Sequence, residues 1–224
     1  MNLLAASLAV ALLAGAPASA AATTCEVTDA VLDWGFKESF RSYISGTIAN
    51  GEWTVSDGAT YETPSFGWTG GTGSVPGEVA FTGSIEFTGH GGILDTTISN
   101  PRLVFDGSQS ATLLLDVSGT TQEGVPVDAR AVEFATVDLA GATKGEVIVE
   151  APAVLTEAGA QAFGTYEAGE PLDPVTVGMP GSASCLTQPD PLPGIVTVIA
   201  GVAVLIVIAL EMFVRRRRAK AAVR

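Results

Sequence analysis

Nine residues, Val79-Ala80-Phe81-Thr82-Gly83-Ser84-Ile85-Glu86-Phe87, constrain this chain more than any other stretch. Val79, Phe81, Ile85 and Phe87 fall on one side of an extended backbone, with Thr82, Ser84 and Glu86 on the other. That period-two alternation is the signature of a half-buried antiparallel strand. Ile93–Ile98, Arg102–Phe105, Thr112–Val117, Ala129–Leu139, Glu146–Val149 and Pro174–Val177 read as further strands. Asp57-Gly58 and Asp106-Gly107 mark turns, and Asn50-Gly51 reads as the tip of a hairpin joining Gly46–Ala49 to Glu52–Val55. Gly70–Gly77 reads as a Gly/Ser/Thr-rich connector. Many short strands at this spacing predict an all-β antiparallel domain, sandwich or barrel-like.

Two short α-helices interrupt the strands. Asp33 is placed to cap the first at its N-terminus and Gly46 to end it. Between them Phe36, Phe40, Tyr43 and Ile44 recur at helical spacing on one apolar face. The second runs from Leu155 to Gly164, with Thr156 as its cap and alanines to propagate it.

The termini carry different information. Residues 2–15 are apolar and Ala16–Ala20 end in an A-x-A pattern, so residues 1–20 read as a secretory signal peptide. Gly194–Val214 is a 21-residue apolar run broken only by Glu211, long enough to span a bilayer as a helix, and Arg215–Arg218 and Lys220 follow at once. The expected topology is a single-pass type I protein of the cell membrane. Residues 25–185 form its extracellular domain, 186–193 a Pro-rich spacer, 194–214 the transmembrane helix and 215–224 a basic cytoplasmic tail. Between the signal peptide and the anchor, five cations face 23 acids, a formal charge of −18. Such a field repels nucleic acid, which is excluded as a partner. Cys25 and Cys185 bracket the domain, and in an oxidising compartment they pair as a disulfide.

A tyrosine in an apolar stripe needs a partner for its hydroxyl. Tyr43 is either a core residue bonded to backbone or a metal-ligating phenolate, since tyrosinate is an axial ligand to haem iron. His90, the sole histidine, lies in the Gly-flanked turn Gly89-His90-Gly91-Gly92, where backbone can approach a ligand closely. With one histidine and no G-x-S-x-G motif, no nucleophile–base pair presents itself, and the expectation is a binding protein rather than an enzyme.

Several separated blocks resemble the HtaA-type haem-binding domain: Trp34-Gly35-Phe36-Lys37, Ser39-Phe40-Arg41, Tyr43-Ile44, Phe66-x-Trp68, Val79 through His90, Asn100-Pro101-Arg102, Leu155-Thr156 with Gly159-Ala160 and Ala162-Phe163, and Leu172-Asp173-Pro174. The resemblance covers roughly residues 25–180 and is similar to the single-domain, membrane-anchored HtaB-like members. It implies a mostly β domain that binds one ferric haem b, captured or relayed at the cell surface for iron and haem uptake. Its partners would be other haem-uptake surface proteins or a membrane haem transporter. By the same resemblance Tyr43 is the iron's axial ligand and His90 supports it by a hydrogen bond. Tyr166 is the nearest match to a second haem-linked tyrosine. Ser39, one turn before Tyr43, is placed to bond a propionate, and Phe36 and Phe40 to wall the pocket. Arg41 is open between a propionate and an ion pair. The alternative from another class is a cofactor-free surface adhesion or ligand-binding β-sandwich module.

Overall fold

The computed structural model describes residues 24–107, 109–164 and 166–186. Its first half runs β1 (Cys25–Trp34), α1 (Glu38–Ser45), β2 (Glu52–Ser56), β3 (Ala59–Glu62), β4 (Ser65–Val75), β5 (Glu78–Ala80), β6 (Ser84–Gly89) and a 3-10 turn at His90–Gly92. Then follow β7 (Leu94–Asp106), β8 (Ser110–Thr120), β9 (Pro126–Asp138), β10 (Thr143–Lys144), β11 (Val147–Leu155), α2 (Glu157–Phe163), β12 (Pro171–Gly178) and α3 (Ala183–Leu186). Pairing is antiparallel in the order β7-β5-β4-β1-β12-β11-β9-β8, and β8 pairs back onto β7. The sheet therefore closes, and the architecture is a barrel rather than a sandwich; closure removes the exposed edges that open sheets must protect. β6 continues the wall beside β7 and carries β2 on its outer side, while β3 and β10 pair with β4 and β11.

β1 is the spine. Cys25 pairs with Val75 at one barrel end, and Trp34 pairs with Phe66 and Val175 at the other. At a rise of about 3.3 Å per residue, the two ends lie roughly 30 Å apart. The Cys25–Cys185 disulfide closes the first end. Beside it Leu186, the first residue of the expected spacer, is buried on α3. At the second end sit α1, the His90 turn and α2, over an aromatic core in which Phe36, Phe40, Phe87 and Phe163 meet with centroids 4.9–5.6 Å apart.

The alternation at 79–87 holds, with Val79, Phe81, Ile85 and Phe87 all buried. It does not form one strand. The chain breaks at Phe81–Gly83, where Phe81 N–H donates to Pro101 C=O (2.9 Å) and Asn100 N–H to Gly83 C=O (2.9 Å). Gly83 stands at φ +143°, where a Cβ would lie 2.6 Å from Ala59 N and 2.9 Å from Trp68 Cδ1. Across from it the two expected strands at 93–98 and 102–105 merge into β7, through a bulge at Asn100–Pro101. Gly70–Gly77 is largely strand rather than connector. Its glycines cost β-propensity but let the wall approach Phe81, whose ring would be 2.4 Å from a Cβ at Gly71. Gly46–Ala49 is a turn, and β2 pairs β6 instead of forming the expected hairpin. β1 escapes sequence reading because a bulge after Val27 shifts its phase: Val27, Ala30, Leu32 and Trp34 are the buried positions. The second helix forms as expected, with Thr156 Oγ1 accepting from Gly159 N–H (3.0 Å) and Gly164 closing it at φ +69°.

Asp116 joins three strands where their bulges meet. Its carboxylate, 13% exposed, accepts from Ala131 N–H (2.8 Å) and Asn100 Nδ2 (3.2 Å), and pairs with Arg102 (3.4 Å) and Arg130 (3.5 Å). Burial pushes this carboxyl up, but the Ala131 N–H, the Asn100 amide and the two guanidinium groups outweigh it, and the net shift is downward. A depressed folded-state pKa contributes stability that is present above the unfolded value of about 3.9 and is lost as pH falls through the folded value. In urea unfolding, wild type should therefore exceed Asp116→Asn at pH 5 and above, with the gap closing below about pH 4. A gap that is constant down to acid pH would mean that the ionised carboxylate is not what ties the bulges.

The disulfide closes a loop of 160 residues, with Cα atoms 6.1 Å apart. Loop-closure entropy for that length is about 5 kcal/mol. Cys25→Ser with Cys185→Ser should lower the unfolding free energy by about that amount, read as a fall in urea midpoint with a steeper slope, because the uncrosslinked chain exposes more surface when unfolded.

Among the described residues, no helix is long and apolar enough to cross a membrane. Residues 1–20 and 194–224, read above as signal peptide, span and tail, lie outside the described residues.

Candidate functional site

The site is built where β1 hands over to α1. Asp33, the expected cap, is instead a strand residue opposite Gly67 and Thr176, and burial together with Glu62 pushes its carboxyl up. The helix begins at Glu38, five residues later, and is capped from another strand. Glu38 N–H donates to Asp173 Oδ1 (2.9 Å) on β12, while Arg41 Nη1 pairs with Asp173 Oδ2 (2.5 Å) and donates to Gly35 C=O. Trp34 Nε1 donates to Asp173 C=O (2.9 Å), and Asp173 N–H donates to Phe36 C=O (3.0 Å). Gly35 is required here: a Cβ would lie 2.2 Å from Asp173 Oδ2 and 2.8 Å from Arg41 Nη1. Arg41, open in sequence between a propionate and an ion pair, is thus committed to the pair, with its side chain 9% exposed.

Phe36 sits before the helix at φ +64°, not on its stripe, and the bend turns its ring into the aromatic core. Phe40 and Ile44 are the buried helical face, and Tyr43 stands half-buried beside them. The Tyr43 hydroxyl is hydrogen-bonded to His90 Nε2. His90 adopts φ +52°, its N–H donating to Ala49 C=O (2.8 Å), and it too is half-buried. At Gly91 and Gly92 a Cβ would meet nothing within 4 Å, so the ground beside the imidazole is open.

One turn back on α1, Ser39 Oγ is exposed and lies 3.4 Å from Tyr166 Oη. Tyr166 stacks parallel on Phe163, with centroids 6.3 Å apart, and meets Phe40 edge-on at 6.5 Å. Phe40 also contacts the Tyr43 ring at 6.2 Å. Four of the six expected residues, Tyr43, His90, Ser39 and Tyr166, therefore open on one surface. Phe40 is the floor beneath both phenols, 0% exposed, and Phe36 lies deeper, so the two phenylalanines underlie the site rather than wall it.

Sequence reading passed over Lys37, Glu170 and the capping role of Asp173. Lys37 occupies the N-cap of α1, where a cation opposes the helix dipole. A lysine there needs an anionic partner, and that is the signal that would have found Glu170.

The donor set suits a macrocycle-borne iron better than a free cation. Among the described residues, no group of three His, Cys, Asp or Glu could hold a bare metal ion. A single phenol bonded to an imidazole, with the hydroxyls of Ser39 and Tyr166 nearby over a buried aromatic core, offers one oxygen donor rather than a chelating set.

Residues 29–178 match the model of the HtaA (Htaa) family. Among solved structures, the C-terminal domain of HtaA from Corynebacterium glutamicum is 34% identical, with a TM-score of 0.61, covering 69% of this chain and 98% of that one. The N-terminal domain of the same protein is 38% identical, with a TM-score of 0.59, covering 68% and 97%. The heme binding protein HtaB from the same organism is 28% identical, with a TM-score of 0.58, covering 70% and 96%. No curated protein sequence matches the chain. The family match, spanning the barrel and the whole candidate site, makes this chain a member of the HtaA family.

Proposed function

We propose that this protein is a cell-surface, membrane-anchored haem-binding protein that captures or relays ferric haem b for iron and haem uptake. The observation that carries the proposal is the hydrogen bond between the Tyr43 hydroxyl and His90 Nε2, half-buried above an aromatic floor. A neutral phenol is a poor ligand until it is ionised, and an imidazole bonded to it would steady the phenolate. Haem iron, when present, supplies a ferric centre that favours a hard anionic oxygen. In this reading Tyr43 is the axial ligand and His90 its supporting group. Ser39 and Tyr166 would offer hydroxyls to the propionates, and Phe40, fully buried, would support the two phenols from below. Holding haem through one protein oxygen would suit handover to other haem-uptake surface proteins or a membrane transporter.

The geometry also suits an anchored carrier. The described chain ends on α3, at the disulfide end of the barrel, and the site lies at the opposite end. An anchor at 194–214 would leave the haem end facing away from the membrane.

Hemin titration followed by Soret absorbance tests the role of His90. His90→Ala should weaken binding about ten- to a hundredfold, the scale of losing a partner that orients a metal ligand. A histidine-to-alanine variant of the C-terminal domain of the C. glutamicum HtaA crystallised as a domain-swapped dimer. The comparison therefore uses the monomeric fraction. Equal affinity in the two proteins removes His90 from the site, and no Soret band in wild type favours the cofactor-free surface module.

A further inference from the structure

We infer that Lys37 is a positioning residue for haem retention, acting through Tyr166; the inference rests on the haem reading above. Lys37 is nearly buried, its side chain 11% exposed, and three contacts fix its ammonium. It pairs with Glu170 (2.9 Å), donates to Pro171 C=O (2.8 Å) and lies 5.0 Å from the centroid of the Tyr166 ring. Its backbone is the N-cap of α1, the helix that carries Ser39 and Tyr43. Lys37 thus joins the ligand helix to the segment bearing the second phenol.

Besides Lys37, the Tyr166 ring is held by Phe163 and Phe40, and among the described residues no other cation lies over it. Tyr166 lies two positions after Gly164, which ends α2 in the left-handed region, and among the described residues no regular element intervenes before β12. Its ring is held by parallel stacking on Phe163 and by the ammonium, and its hydroxyl by the 3.4 Å approach to Ser39. An ammonium over a tyrosine face is attractive, and more so when partly desolvated. A cation at a helix N-terminus is unfavourable by itself, so Glu170 is needed to keep it there. Lys37 and Glu170 together hold the Tyr166 ring beside Ser39, on the same surface as Tyr43.

The test uses the full chain and two readouts. The chain holds three tyrosines, Tyr43, Tyr61 and Tyr166, so tyrosine-selective ring labelling gives three resolvable sets of signals. In the haem-free protein, Lys37→Met should shift the Tyr166 ring signals and leave Tyr61 in place, with Lys37→Arg restoring them. Glu170→Gln, on a half-exposed side chain, should shift the same signals to a smaller extent. With hemin loaded, transfer to apomyoglobin should be about fivefold faster from Lys37→Met. In a Tyr166→Ala background, Lys37→Met should add nothing further. Unmoved Tyr166 signals would overturn the positioning role whether or not haem binds. Equal acceleration with and without Tyr166 would show that Lys37 acts on α1 as a whole. Absence of hemin binding by wild type, with the ring signals still shifted, would instead count against the haem reading alone.

Discussion

Tyr43→Phe is expected to lower ferric haem affinity by at least about a hundredfold and to change the spectrum of whatever haem remains bound. The substitution removes one oxygen and leaves the ring, so packing on Phe40 at 6.2 Å is retained. Losing a group that only orients a ligand costs about ten- to a hundredfold, and losing the ligand should cost more. The expected order is therefore Tyr43→Phe worse than His90→Ala, with both worse than Ser39→Ala. Haem-free Tyr43→Phe should melt close to wild type, because the hydroxyl is half-buried and its loss removes one hydrogen bond worth about 1 kcal/mol. A large fall in melting temperature would mean that Tyr43 serves the fold first.

Asp173→Ala is expected to be the most destabilising single change in the site region, by about 3–4 kcal/mol in urea unfolding. It strands the Arg41 guanidinium, whose side chain is 9% exposed, and removes the acceptor for the Glu38 N–H. Breaking a buried pair by deleting one partner costs several kcal/mol because the remaining charge is left uncompensated, and loss of a cap adds about 1 kcal/mol. The 23% exposure of the Asp173 side chain keeps the cost at the lower end of that range. Asp173→Asn, which keeps an acceptor for Glu38, should lose less. Haem affinity should fall in Asp173→Ala as well, since α1 carries Ser39 and Tyr43. Unfolding unchanged by Asp173→Ala would show that α1 is held by its aromatic face alone.

Much of the barrel was legible from alternation and turn residues. Val79, Phe81, Ile85 and Phe87 are buried as their spacing requires, and the capped helix after Leu155 forms where its Thr156 and Gly164 place it. What escaped was set by contacts distant in sequence. The Gly-rich β4 looks like a connector until Phe81 is seen lying against Gly71. The start of α1 looked like Asp33 because local capping favours it, yet the cap comes from Asp173, 135 residues beyond Glu38. The site divides the same way. Tyr43 and His90 were visible as an apolar-stripe phenol and a lone imidazole between glycines, and the fold brings them into contact across 47 residues. Phe36 was misplaced because helical spacing was carried through a residue that the backbone turns out of the helix. Lys37 was invisible as a site residue because its partners, Glu170 and Tyr166, lie on a loop with no periodicity.

The central claim is that a phenolate oxygen from Tyr43 holds oxidised iron. Resonance Raman spectroscopy of the hemin complex tests it most directly, with excitation into the phenolate-to-iron charge-transfer band, comparing wild type with Tyr43→Phe. The account predicts a tyrosinate–iron signature in wild type that is absent from Tyr43→Phe and retained in Tyr166→Phe. The same signature surviving in Tyr43→Phe, or moving with Tyr166, would place the ligand elsewhere and contradict it.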